Sequence, residues 1–224
     1  MLITLVIIGI IAALTIPNLM QKYQEQTTVK KVQKFYSTLS NAYNLAIKDN
    51  GTPEDWGIVP DYVPSAIKIY EILFKPYFKI TKNCGLGTTG NCLANVEYKY
   101  LNNTNGINYA ASGVNYQVAL SDGATIFFNR NSDPSLLIGV GYDVNGPKGP
   151  NQWGVDYFYF HRPKDRITPL GLISESYNFN TYCKKNTTDS FSGYGCAAWV
   201  VYKGNMDYLH CDGLTWKSRS CKDK

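Results

Sequence analysis

Two different hydrophobic patterns follow one another in the first 47 residues of the chain. Residues 1–20 are almost wholly aliphatic and uncharged, and Lys22 is the first charged residue. Farther on, apolar residues recur at intervals of three and four, the spacing of an amphipathic helix; they are Val29, Val32, Phe35, Tyr36, Leu39, Ala42, Tyr43, Ala46 and Ile47. Gly51 suits a left-handed cap and Pro53 blocks continuation, so one long helix is predicted to end near residue 50.

The uncharged run predicts a membrane segment, because crossing a bilayer takes about 20 apolar residues. No basic region precedes it and no cleavage site of small residues follows it, so a signal peptide is not indicated. We expect a transmembrane helix over residues 1–20, its amphipathic continuation over residues 21–51 and a globular head over residues 52–224. The alternative is a plain membrane anchor on an unrelated exported domain.

The head is predicted to contain an antiparallel sheet. Residues 115–120 and 124–128 form two strands around a turn at Gly123, and residues 136–142 and 155–160 form two more. Residues 52–105 are rich in loops, with a short helix over residues 65–74. Residues 170–224 are predicted to form loops with a short helix near residues 197–202. The fold class is therefore α+β, with the long helix packed on about four strands.

Composition narrows the class of protein. The chain has 224 residues, of which 44% are hydrophobic and only 17% charged, so it can build a core and is not a disordered protein. A net charge of +5 is too small to indicate nucleic acid binding by itself. With 18 tyrosines and two histidines, the chain is more typical of an extracellular or interaction protein than of a cytosolic enzyme.

The cysteines indicate disulfides and export. Their number is even and none forms a C-x-x-C pair, which argues against a zinc finger. Disulfides persist in oxidising compartments outside the cytoplasm. Many connectivities are open, and joining sequence neighbours closes the shortest loops: Cys84 with Cys92, Cys183 with Cys196, and Cys211 with Cys221.

The run LITLVIIGIIAALTIPNL, with Gly9 and Pro17 in place, resembles the N-terminal signature of type IV pilins and type II secretion pseudopilins. The resemblance is strong over roughly residues 1–47 and implies a subunit anchored in a bacterial inner membrane, then packed into a helical filament with other pilins. The implied partners are further copies or related pilins, that membrane, and a prepilin peptidase that cleaves and methylates the N-terminus. The head would be periplasmic or extracellular, and the implied assembly helix includes Met1, Leu5, Gly9, Ile16 and Pro17.

The start of the chain departs from that signature. Members of the family carry a basic leader and a glutamate just before the position of Met1, and neither is present. Lysines follow the apolar run and none precedes it, which by the positive-inside rule would place the head in the cytoplasm, against the cysteines. We therefore expect a truncated start and a chain that does not assemble as a pilin from Met1.

One loop is a candidate calcium site. Asp143, Asn145, Asn151 and Asp156 lie in a Gly- and Pro-rich connection between two predicted strands. Ca²⁺ takes six to eight oxygen ligands, including carboxylates, amide oxygens and backbone carbonyls. The resemblance adds to this reading, because some pseudopilins hold Ca²⁺ in a loop of the head. The alternative is a rigid turn in which these side chains bond their own backbone.

Other motifs carry little chemistry. Gly85, Gly87 and Gly90 match G-x-G-x-x-G, but no helix follows and Cys84 and Cys92 bracket the run, so a disulfide-tied loop is expected instead of a cofactor site. Neither His161 nor His210 belongs to a catalytic motif, and we expect no enzyme activity.

The sequence therefore favours a filament subunit. Two alternatives remain open: a minor tip subunit that binds DNA or a surface, and a membrane-tethered hydrolase.

Overall fold

A computed structural model describes residues 2–59, 61–87, 92–130, 138–162 and 165–223, with the backbone alone at residues 2–8, 11, 12 and 223. The helices are α1 (Leu2–Asn50), α2 (Tyr62–Ile69), α3 (Phe179–Tyr182) and α4 (Cys196–Lys203). A π-helical turn lies at Tyr70–Phe74, and 3₁₀ turns lie at Pro53–Trp56, Asp207–Leu209 and Cys221–Asp223. The strands are β1 (Ile80–Leu86), β2 (Tyr116–Leu120), β3 (Thr125–Arg130), β4 (Ile138–Asp143), β5 (Tyr157–His161) and β6 (Thr168–Pro169).

Helix α1 is the long helix that the hydrophobic pattern predicts. Its apolar stripe is buried in the head, and Val32 and Leu39 are fully enclosed. Phe35 stacks on Tyr142 of β4 with ring centroids 4.0 Å apart. The helix ends as expected, because Gly51 adopts a φ of 78° and its N–H donates to the Ile47 carbonyl at 2.9 Å.

The strands form one antiparallel meander in chain order. Strands β2 to β5 are the four predicted ones, but the sheet has six strands. β1 escapes prediction because two register shifts, after Ile80 and after Asn83, break its alternation. β6 has only two residues and contains Pro169, which a sheet accepts at an edge.

The predicted transmembrane segment is not confirmed. Among the residues that the structure describes, no helix is both long enough and apolar enough to cross a membrane. Polar Gln21 and charged Lys22 follow Met20 directly, so the apolar run does not extend beyond residue 20.

Three disulfides tie the head, and they are the predicted pairs. Cys84 joins Cys92, Cys183 joins Cys196, and Cys211 joins Cys221, with Cα separations of 6.0, 4.9 and 5.9 Å respectively. The second bond links the end of α3 to the start of α4. Helix α4 is the short helix expected near residues 197–202, and it packs beside α1, where Gln33 Nε2 donates to the Val201 carbonyl at 3.0 Å.

The two faces of the sheet are covered by different parts of the chain. The face towards α1 contributes alternate strand residues to the main core, among them Phe128, Val140 and Phe160. The opposite face contributes Phe127 of β3 and Tyr157 of β5 to a second, mostly aromatic cluster. Its members are Leu93, Ala94, Tyr98, Tyr100, Tyr109, Phe127, Trp153 and Tyr157. This second layer frames the candidate sites described below.

Candidate functional sites

The predicted calcium-binding residues come together in the loop between β4 and β5. The Val144 N–H donates to the Asp156 carbonyl at 2.9 Å, which holds the two ends of the loop side by side. Asp156 accepts hydrogen bonds from the N–H groups of Asn151 at 2.9 Å and Gln152 at 2.7 Å. Asp143 accepts from the N–H of Asn145 at 3.2 Å and from the Tyr98 hydroxyl at 2.6 Å.

Both carboxyl groups are buried. Asp143 is fully enclosed, and Asp156 is 4% exposed. Burial is the main cause that raises the pKa of Asp143 well above its usual range, and the neighbouring Asp156 raises it further. Burial likewise raises the pKa of Asp156, against hydrogen bonds that lower it. The loop therefore holds two acids whose ionised forms are disfavoured by their surroundings.

Two further oxygens in this loop lack partners. Within the described part of the chain, Asn145 Oδ1 and Asn151 Oδ1 are buried and accept no hydrogen bond. No group of three or more His, Cys, Asp or Glu side chains forms a metal-binding cluster among the described residues. The loop thus offers two carboxylates and two amide oxygens, a donor set that fits Ca²⁺ and not a soft metal. Lys148 is exposed at the loop surface.

One row of residues crosses four neighbouring backbone segments on the sheet face opposite α1. Asn129 of β3 pairs with Gly139 of β4, which pairs with His161 of β5. Asn115, just before β2, joins the row because its Oδ1 accepts a hydrogen bond from Asn129 Nδ2 at 2.6 Å. We call these four residues the amide row.

A pocket of about 780 Å³ opens over the amide row. Its volume lies in the range of roughly 300–1,000 Å³ that is usual for small-molecule sites. Tyr159, Tyr177 and Tyr194 line it and are only partly buried. Trp153 also lines the pocket and stacks on Tyr194 with ring centroids 3.8 Å apart. The pocket therefore combines a polar row with aromatic walls.

An imidazole–carboxylate pair stands at one side of this pocket. His161 Nε2 lies 2.8 Å from Glu175 Oε1, and both side chains are largely buried. Glu175 Oε2 accepts the N–H groups of Gly171 at 2.8 Å and Leu172 at 2.9 Å. Both oxygens of this carboxylate are thus engaged, and they fix the turn at residues 171–175 against the end of β5.

Glycines in β4 leave the space that the aromatic rings occupy. A Cβ added to Gly139 would collide with the Tyr159 hydroxyl and lie 3.1 Å from Asn129 Oδ1. A Cβ added to Gly141 would collide with the Tyr157 hydroxyl and the Phe127 ring. These two positions therefore let tyrosine side chains lie directly across the strand.

The free part of α1 is the third candidate site. Among its described side chains, six large apolar ones are 51% to 68% exposed: Ile10, Leu14, Ile16, Leu19, Met20 and Tyr23. Of the expected assembly residues, Gly9, Ile16 and Pro17 lie exposed on this segment. Met1 lies outside the described residues, and at Leu5 the helical backbone alone is described.

The remaining motifs contribute no site. Gly85 lies within β1 and Cys84 bonds Cys92, as expected for a disulfide-tied loop, while residues 88–91 lie outside the described residues. His210 Nε2 lies 2.8 Å from Glu25 Oε2, at the point where α1 meets the C-terminal tail.

Sequence reasoning missed the amide row. Its members are far apart along the chain, and their proximity depends on strand register. A usable signal was present, because Gly139 and Gly141 alternate within a strand and polar Asn115 and Asn129 flank apolar strand residues.

A protein family described as a family of unknown function (DUF6613) matches residues 18–204 of the chain. No curated protein and no solved structure matches it.

This match corrects the family membership expected from the N-terminal segment. The matching family is one of unknown function and not a pilin or pseudopilin family, so that expectation is wrong. The resemblance rested largely on an aliphatic run that precedes the matched residues. Exchanges among Leu, Ile and Val keep such a run equally apolar, so its order carries little information about ancestry.

Proposed function

The chain belongs to the DUF6613 family of unknown function, and we propose that it is an exported, non-enzymatic subunit that assembles with further copies through the N-terminal part of α1. The proposal rests on a difference in burial between two parts of helix α1. Beyond Val29 the apolar stripe is buried against the head, whereas between Ile10 and Tyr23 large apolar side chains remain exposed. Exposed apolar area of this kind marks an interaction surface.

The distribution of these side chains supports a bundle of helices over a simple pair. At about 100° per residue, positions 10, 14, 16, 19, 20 and 23 spread over more than half of the helix circumference. A two-helix seam covers a narrow stripe, whereas a helix that is apolar on most sides needs several neighbours. Identical copies supply such neighbours, as in other homo-oligomers with repeated contacts.

The test compares association of the full chain with that of matched variants. Leu14→Gln combined with Leu19→Gln keeps residues that favour helix but removes two apolar contacts. The control is Leu45→Gln, which changes a leucine that is 46% exposed on the part of α1 within the head. We expect sedimentation to show large assemblies for the wild type and the control, and a monomeric head for the double variant.

Two outcomes would contradict assembly through copies. The wild type would sediment as a monomer, or both leucine variants would associate as the wild type does. Binding of the monomeric wild type to lipid vesicles, lost in the double variant, would instead assign the segment to a membrane surface.

Export is proposed from the disulfides. Three bonds join all six cysteines, and such bonds persist outside the reducing cytoplasm. Protein taken from its native cells and denatured in an alkylating reagent should carry no label on cysteine before reduction. Labelling of the cysteines without reduction would contradict the proposal.

We further propose that the loop between β4 and β5 holds Ca²⁺ through Asp143, Asn145, Asn151 and Asp156. Two buried carboxyls and two orphaned amide oxygens support this proposal. At one hundred times Kd, the ion would add about 2.7 kcal/mol to the free energy of unfolding, which is roughly 5–10 °C in Tm for a chain of this size. Mg²⁺ should replace it poorly, because it demands a tighter octahedron. Equal melting of metal-stripped protein with and without Ca²⁺ would leave a plain hydrogen-bonded turn.

A further inference from the structure

We propose that the pocket over the amide row is a binding site for a neutral saccharide. The sugar rings would lie against the tyrosine side chains, and their hydroxyls would bond the two asparagines. This site lies on the sheet face away from α1, so the proposal does not depend on the assembly role of that helix.

The asparagine pair is arranged to bond a hydroxyl group. The bond from Asn129 Nδ2 to Asn115 Oδ1, at 2.6 Å, uses one end of each amide. The other ends, Asn115 Nδ2 and Asn129 Oδ1, form no hydrogen bond with any residue that the structure describes. Among the described residues, one donor and one acceptor of this pair thus remain without a partner. A sugar hydroxyl both donates and accepts, so it can bond both at once.

The glycine of the row lets a tyrosine hydroxyl reach these polar groups. Asn129 Oδ1 and the Tyr159 hydroxyl both lie over Gly139, where any larger residue would put a side chain. Strand pairing places Gly139 between Asn129 and His161. The Tyr159 hydroxyl therefore lies between the amides and the imidazole of the row.

The aromatic walls of the pocket supply apolar contacts to the sugar ring. Tyr159, Tyr177 and Tyr194 line the pocket and keep part of their surface exposed. A pyranose ring has one face made of C–H groups, and those groups are attracted to the electron-rich face of an aromatic ring. Tyrosine adds a hydroxyl at the rim, which suits a ligand that is apolar on its face and polar at its edge.

The charges favour a neutral ligand that is bound and not cleaved. Among the described lining residues, Glu175 is the one carboxylate and Arg130 the one permanent cation. Hydrolysis of a glycosidic bond usually needs two carboxylates, and both oxygens of Glu175 are engaged. A site for single-stranded nucleic acid combines stacking with a basic groove, and the described lining supplies a single arginine.

The experiment uses the full disulfide-bonded chain and an array of immobilised glucose, galactose and N-acetylglucosamine oligosaccharides. Calorimetry then measures Kd for the soluble form of the best probe. We expect binding that changes little with salt, since no phosphate is neutralised. Asn129→Leu and Tyr177→Ala should each weaken it at least tenfold.

Tyr202→Ala is the matched control, because this tyrosine is 51% exposed on α4 and does not line the pocket. It should bind the probe as the wild type does. Tyr177→Ala changes a partly exposed wall residue, so its melting temperature should stay close to that of the wild type even if Asn129→Leu destabilises the central strand β3. The proposal is overturned if no saccharide of the array binds, or if Tyr177→Ala and Tyr202→Ala weaken binding equally. Salt-sensitive binding of a single-stranded oligonucleotide in place of the saccharides would also overturn it.

Discussion

Asp143 and Asp156 place two carboxyl groups inside the head. No basic side chain forms a salt bridge with either of them among the residues that the structure describes. Their hydrogen bonds come from backbone N–H groups and from the Tyr98 hydroxyl. Hydrogen bonds stabilise a carboxylate, but burial and mutual repulsion remain the larger effects on Asp143.

The stability of metal-free protein should therefore depend on these acids. Because the folded-state pKa of Asp143 is raised, its contribution to stability is present below the unfolded pKa of about 3.9 and is lost as the pH rises through the folded-state pKa. We expect the free energy of unfolding, measured by urea in chelator, to fall as the pH rises from about 4 towards neutrality. Asp143→Asn should flatten this fall and abolish any response to Ca²⁺.

The substitution is gentle because a tyrosine hydroxyl can reverse its role and accept a hydrogen bond from the new amide. Asp165→Asn, at an exposed aspartate, serves as the control and should follow the wild type. Identical pH profiles for all three proteins would show that the Asp143 carboxyl does not control stability.

At the scale of single residues, the sequence predicts what depends on local spacing. The cysteine pairs follow from separations of 8, 13 and 10 residues. The loop from Asp143 to Asp156 is likewise continuous in sequence. The contact of Asn115 with Asn129 needs the register of β2 on β3, and that of His161 with Glu175 needs the path of the chain after β6. Such contacts are set by tertiary packing and leave no pattern in a short window of sequence.

Helix α1 ends at a position where glycine has a physical role. Gly51 has a φ of 78°, and a Cβ added there would lie 2.9 Å from Asp55 Oδ2. Gly51→Ala should lower the free energy of unfolding by about 1–2 kcal/mol, since a side chain in the left-handed region is strained. Chemical denaturation monitored by circular dichroism measures the change.

Gly57→Ala is the natural comparison for this cap. Gly57 also has a positive φ, of 68°, but a Cβ there would meet nothing within 4 Å. Gly57→Ala introduces backbone strain without a steric contact, so Gly51→Ala should be the more destabilising of the two substitutions. Equal or reversed effects would mean that the contact with Asp55 does not matter.

Among the elements, those with a strong period were predictable and those without one were not. The buried residues of α1 and of strands β2 to β5 can be predicted from the spacing of apolar residues in the sequence. The edge strands do not, because β1 contains register shifts and β6 has two residues. The part of the chain that the structure describes contains no helix able to span a membrane, and apolar composition alone does not distinguish a membrane segment from a segment that contacts other protein.

The whole head is built around buried tyrosines. Burial raises the pKa of the hydroxyls of Tyr98, Tyr142, Tyr157 and Tyr208, among others. These groups contribute stability that is present below the unfolded tyrosine pKa of about 10 and is lost above it. The fold should therefore fail in alkali as a cooperative event.

Tyrosinate absorbance at increasing pH tests this expectation. The hydroxyls of Tyr98, Tyr142, Tyr157 and Tyr208 should ionise only together with the loss of near-ultraviolet circular dichroism. A single smooth titration of all tyrosines, with the dichroism intact, would contradict the burial that the structure shows.

Helix α1 runs without interruption from its exposed segment into the core of the head. Between Tyr23 and Val29 the helix is continuous, so the direction in which the head faces relative to the last turn of the exposed segment is set by the number of residues between them. Each residue inserted between Tyr23 and Val29 would turn the head by about 100° and move it by about 1.5 Å along the axis. The direction in which the pocket opens around the helix axis is therefore set by the number of residues between Tyr23 and Val29.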